Sequence, residues 1–193
     1  MDAWVWIVIV VAVLVIGVAA YLVATRRRTD ALRERFGPEY DKTVDEAGGR
    51  RAAESELKDR VERRQDLDIR PLPPASADRY AGEWRDVQAR FVDSPGTAVG
   101  EADRLVIAVL RERGYPVDDF EQRAADISVD HADVVENYRA AHGISLANDE
   151  GRASTEDLRQ AMVHYRTLFE RLLDGNAAGP TGTRPTGTTE EVR

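Results

Sequence analysis

The chain has no cysteine. Disulfide frameworks, cysteine-ligated zinc and thiol nucleophiles are therefore excluded. Lysine is nearly missing as well: of the 27 basic residues only Lys42 and Lys58 are lysines, the bias that GC-rich codons produce. The P-loop pattern GxxxxGK[ST], the dinucleotide pattern GxGxxG and the zinc-protease pattern HExxH are all absent, so neither a phosphate cradle nor a paired-histidine metal site has support. No serine sits in a nucleophile-elbow context. A basic surface is lacking too. Residues 37–193 hold 22 basic and 32 acidic side chains, a net of −10, and such a body repels a polyphosphate rather than binding it. No nucleic-acid partner is expected.

What the sequence does have is one long apolar run. Ala3 to Ala24 reads AWVWIVIVVAVLVIGVAAYLVA without a charge. A helix of that length reaches roughly 33 Å, against a hydrocarbon core of about 30 Å. Directly after it stand Arg26, Arg27 and Arg28, then Arg33 and Arg35. Cytoplasmic flanks carry the positive charge, so these arginines predict an N-terminus outside and residues 26–193 in the cytoplasm. Trp4 and Trp6 suit the outer interface and Tyr21 the inner one. A cleaved signal peptide would need a basic start, a shorter apolar stretch and a small-residue cleavage site; here the start is acidic and arginines follow. The segment reads as a retained single-pass anchor with the lipid bilayer as its partner.

Beyond the anchor, Thr25 to Phe36 continues helical and basic, a stop-transfer flank able to lie against anionic headgroups. Gly37-Pro38 interrupts it, with Pro38 suited to open a new helix. Glu39 to Asp66 is strongly charged, with Val44, Leu57 and Val61 as its few aliphatic points and Gly48-Gly49 in its middle. It reads as a long solvated stalk that gains little from packing on itself, alone or paired with a partner, so that 25–66 forms a collar and stalk. Residues 67–74, LDIRPLPP, read as an extended proline-rich spacer.

Residues 75–174 carry the signals of an all-α domain, a small bundle of about five helices. Tyr80, Trp84, Val87 and Phe91 fall on one helical face. Ser94-Pro95 opens a second helix with Leu105 and Val109 inside, closed by Gly114 and Pro116. Asp118-x-x-Glu121 resembles a capping box for a third, with Phe120 facing inward. A fourth, from about His131 to Leu146, uses Tyr138. Asn148 to Ala153 reads as a loop, and Ser154-x-x-Asp157 caps a last helix whose stripe is Leu158, Met162, Tyr165, Phe169 and Leu172, ended by Gly175. These stripes predict a core of Trp84, Val87, Phe91, Leu105, Val109, Phe120, Tyr138, Leu158, Met162, Tyr165 and Phe169. Residues 175–193, rich in Gly, Thr and Pro, should be a disordered tail.

FGPEYDKTV at 36–44, DLDIRPLPP at 66–74, RGYPVDDFEQRAADISVDH at 113–131 and DLRQAMVHYR at 157–166 resemble segments of a family of uncharacterised single-pass membrane proteins from actinobacteria. The resemblance reaches from the anchor to about Leu173. It implies a bacterial cell membrane and the anchor-plus-domain architecture, and it carries over no catalytic residue. Members sometimes labelled as secreted would sit on the other side of the membrane; the arginine cluster argues against that label here.

One cluster has the residue types of chemistry: Asp130, His131, Asp133 and Glu136. Carboxylates beside a histidine can hold a divalent ion, but acids in the first turn of a helix also cap it, and no second histidine stands at i+4. His142 and His164 read as boundary residues. No metal, cofactor or catalytic residue is expected. The sequence points to a membrane-tethered, non-catalytic interaction or scaffold protein with a protein partner of unknown identity and unknown oligomeric state. The alternative is a ligand-sensing helical domain that regulates another membrane protein.

Overall fold

The computed structural model describes residues 3–174, and within the first helix the side chains of residues 3, 5–11 and 21 fall outside the description. The expected tail at 175–193 and its Gly175 stop lie outside the described residues. Those described form eight helices and no strand: α1 (Ala3–Phe36), α2 (Pro38–Glu46), α3 (Arg50–Asp66), α4 (Pro74–Phe91), α5 (Pro95–Arg113), α6 (Phe120–Asp130), α7 (Val135–Asp149) and α8 (Thr155–Asp174). The all-α expectation holds.

α1 is one unbroken helix of 34 residues. Its described side chains from Ala12 to Ala20 and from Leu22 to Ala24 are all exposed. Among the described residues no helix is long and apolar enough to cross a membrane; most of the first half of the expected anchor lies outside that set. The basic half behaves differently. Leu32 is half-buried and Phe36 is fully buried.

Gly37 and Pro38 end α1 and start α2 as their chemistry requires, Gly37 taking a left-handed φ of 50°. From there the chain departs from the stalk reading. α2 and α3 do not extend into solvent. They fold back as a hairpin across α1 and dock on α6. Phe36, Tyr40, Leu57 and Val129 form a second buried cluster, with Leu32, Val44 and Val61 packed around it. The expectation of a solvated stalk is corrected: three aliphatic residues were too few for a core, but the two aromatics at 36 and 40 and a face of α6 supply the rest.

The main core lies among α4, α5, α7 and α8. Trp84, Val87, Leu105, Val109, Tyr138, Leu158, Met162, Tyr165 and Phe169 are buried there, while Phe91 and Phe120 are only half-buried and pack at its rim. Trp84 and Phe169 stack with ring centroids 4.8 Å apart. α5 ends on Gly114 at φ 98°, and Tyr115 N–H reaches back to the Leu110 carbonyl at 3.0 Å. This is the six-residue reverse bond of a Schellman stop. The proline-rich segment is also more than a spacer. Arg70 N–H donates to the Arg113 carbonyl at 2.9 Å, and Leu72 is buried in the main core.

Three local readings shift. Asp119, one residue after the expected Asp118, caps α6 by accepting from Gln122 N–H at 2.7 Å. Ser94 precedes α5 without a side-chain cap bond, so Pro95 at the first turn sets that start. α7 begins at Val135 and runs to Asp149, through the first part of the expected loop. α8 starts as expected, with Ser154 N–H donating to Asp157 at 2.8 Å and Asp157 N–H donating to the Ser154 hydroxyl at 3.2 Å.

Candidate functional site

The most organised polar site is the joint where the α2–α3 hairpin meets α6 and α7. Glu39, in the first turn of α2, is 1 % exposed. Arg139 of α7 donates to both of its carboxylate oxygens, at 2.7 and 2.8 Å. Arg60 of α3 donates to Oε1 at 2.8 Å and also reaches the Ser128 hydroxyl of α6 at 3.4 Å. Both arginines have a second, more exposed carboxylate: Glu56 for Arg60 and Glu136 for Arg139. Burial alone would raise the Glu39 carboxyl, but the two guanidiniums outweigh it and hold it below the ordinary carboxylate value. Two cations share one buried anion and each has an outer acid, so the charges of the joint are compensated, while the Arg139 Nε has no hydrogen-bond partner among the described residues.

The rim of the joint is also ionic. Arg35 of α1 donates to the Val129 carbonyl at 3.3 Å, and Arg64 of α3 pairs with Asp130, which also accepts from the Tyr115 hydroxyl at 3.0 Å. Beside it lies fully buried Asp126, whose Oδ1 accepts from Gln122 at 2.8 Å while Oδ2 has no partner among the described residues. Burial pushes this carboxyl above its ordinary value, against the pull of Gln122 and of Arg63, Arg60 and Arg64.

The residues singled out by sequence are pulled apart. Asp130 faces Arg64 and Tyr115, Asp133 pairs with Arg171, and Glu136 pairs with Arg139. His131 is buried with its Nε2 unpartnered, and burial, followed by the nearby Arg113, lowers its pKa. Among the described residues no three potential ligands converge on one point. His142 stacks on Phe120 at 3.8 Å and lies 3.9 Å from Asp103. His164 shares a 2.8 Å hydrogen bond with Asn137.

A second polar feature opens at the other end of the hairpin, where α3 begins beside the basic half of α1. Thr29 donates to Glu54 at 2.7 Å and Tyr40 donates to the same oxygen at 3.0 Å, fixing where the two helices meet. The cleft beside this contact measures about 730 Å³ and is lined by arginines of both helices.

No family model, curated protein or solved structure matches the chain. The functional reading therefore rests on the residues themselves. Arg26, Arg27 and Arg28, expected from the sequence to determine the topology, are exposed side chains on α1. Sequence reasoning missed Glu39, Arg60 and Arg139. The recurrence of Ala53, Leu57 and Arg60 at steps of four and three was the available signal, since it puts an arginine on the buried face of α3.

Proposed function

We propose that the protein is a membrane-tethered, non-catalytic interaction or scaffold module, held at a bacterial cell membrane by a single pass with its folded body in the cytoplasm. The observation that carries this reading is the division of α1: an uncharged stretch from Ala3 to Ala24 whose described side chains are exposed, continuous in one helix with a basic stretch that packs into the body. Exposed apolar side chains on every described position of a helix are costly in water and favourable in lipid. A helix also satisfies its own backbone, which a bilayer demands. Arg26, Arg27 and Arg28 stand at the end of the apolar stretch, where positive charge marks the cytoplasmic side. The non-catalytic part is supported by the neutralised joint and by Tyr138 and Tyr165, which lie within the packed core.

The absence of cysteine makes the test clean. A single cysteine placed at exposed Val92 or Arg152 should react with a membrane-impermeant maleimide only after cells are permeabilised. The chain should also stay with the membrane through alkaline carbonate washing. Labelling in intact cells overturns the orientation, and release by carbonate overturns the anchor. Partner identity follows from crosslinking at the same engineered positions in native membranes.

A further inference from the structure

We infer that the cleft between α1 and α3 is a binding site for an anionic glycerophospholipid headgroup. Five arginines line it: Arg26, Arg28 and Arg33 from α1, and Arg50 and Arg51 from the start of α3. Arg33 pairs with Asp41 at 3.4 Å and lies over the face of Tyr40, whose hydroxyl also feels the charge of Arg50. Among the described residues the other four have no ion-pair partner. Two carboxylates also line the cleft, but Glu54 is occupied by Thr29 and Tyr40, which leaves Asp30 as the one acid not held by a neighbour.

Four unpaired arginines facing a shared space repel one another, and the fold accepts that repulsion. The Thr29–Glu54 bond and the buried Phe36, Tyr40 and Leu57 fix α3 against α1, so the arrangement is built and not a passing coincidence of long side chains. A phosphodiester suits it well, because guanidinium forks match phosphate oxygens in pairs. The source of the phosphate is set by position. Arg26 follows the uncharged stretch by one residue after Thr25, so the cleft opens at headgroup depth. This inference rests on the membrane reading above. It adds that Arg50 and Arg51, twenty-odd residues away along the chain, belong to the lipid contact, whereas a topology signal alone would need only the arginines of α1.

The test uses the full chain in nanodiscs of phosphatidylcholine, with or without phosphatidylglycerol, and native mass spectrometry of the lipids that stay bound. Each arginine near an anionic surface contributes roughly a fivefold preference. The double variant R50Q/R51Q should therefore lose about twenty-five-fold in phosphatidylglycerol enrichment. R26Q/R28Q, on the opposite wall, should lose a similar factor, and R152Q, which does not line the cleft, none. Unchanged melting of each variant in pure phosphatidylcholine discs shows that it is folded; if one pair fails this, the other carries the test. Equal enrichment by wild type and the folded variants overturns the inference while leaving the anchor intact. Failure of the wild-type chain to enter either disc overturns the anchor and the inference together. If inorganic phosphate raises the melting temperature in neutral discs as much as phosphatidylglycerol does, the occupant is a soluble phosphate and the lipid assignment falls.

Discussion

Glu39 and Arg139 are one hundred residues apart in sequence and joined by two hydrogen bonds of 2.7 and 2.8 Å. With Arg60 as a third member, the pair fastens the first hairpin to the bundle. Replacing Glu39 by Gln leaves two largely buried guanidiniums without their shared anion. A loss of about 3–5 kcal/mol is expected, the range for removing one partner of a buried pair. Denaturant unfolding of the full chain in mild detergent measures it, and a loss below about 1 kcal/mol would mean that water reaches the joint.

Acid should loosen the fold in two stages. His131 has a pKa below its ordinary 6.5 in the folded chain, because burial and then Arg113 disfavour its charged form. Its contribution is therefore complete above pH 6.5 and declines as pH falls toward the folded value. Glu39 has a lowered pKa and loses its contribution only at still lower pH, below its ordinary 4.5. Asp126, raised by burial, works in the opposite direction. Subtracting the stability curve of a His131→Phe variant from that of the wild type should isolate the first stage; parallel curves below pH 6.5 would show that His131 does not titrate against the fold.

Gly114 should not tolerate alanine. Its φ of 98° is a left-handed conformation, and a Cβ there would run into the backbone carbonyl of Asp68. The strain alone is about 1–3 kcal/mol for a non-glycine residue. The displaced 67–74 segment adds to it. A melting curve of Gly114→Ala unchanged from wild type would mean that the segment is not held on the end of α5.

Trp84 and Phe169 should prove coupled as well as essential. Each single change to alanine is expected to cost about 3–5 kcal/mol. Their rings stack at 4.8 Å with 19° between planes, so the double variant should lose less than the sum, by about 0.5–1.5 kcal/mol. Strict additivity in a double-mutant cycle would rule out the contact.

The domain boundary is expected to lie before the proline-rich segment. The helical stripes of residues 75–174 taken alone read as one self-contained bundle. Without α2 and α3, however, Val129 loses its cover and Arg139 loses Glu39. A fragment of residues 29–174, which keeps Phe36 with the hairpin, should melt cooperatively and well above one of residues 72–174. Identical melting would restore the proline segment as the boundary.

That boundary shows what hydrophobic periodicity can and cannot deliver. It works where one face of a helix is apolar: Tyr80, Trp84 and Val87 on α4, or Leu158 to Leu172 on α8, are buried as their spacing predicts. Local chemistry also worked at Gly114 and at Ser154 with Asp157, because those bonds close within a few residues. Glu39 is different. Its burial depends on arginines 21 and 100 positions away, and nothing local distinguishes it from the solvated acids around it. The collar arginines were legible as a basic strip on a helix, while their meeting with Arg50 and Arg51 follows from the hairpin's return and so from the tertiary fold.

α1 runs about 51 Å from Ala3 to Phe36 with no break. Its far end is clamped three ways, by Thr29 on Glu54, Arg35 on the Val129 carbonyl and Phe36 in the hairpin cluster. A flexible tether would let the body tumble freely beneath its attachment point. On the proposed membrane reading, this tether is a shaft: α1 has no break between Trp4 and Phe36, so the orientation of the body would follow that of a single helix.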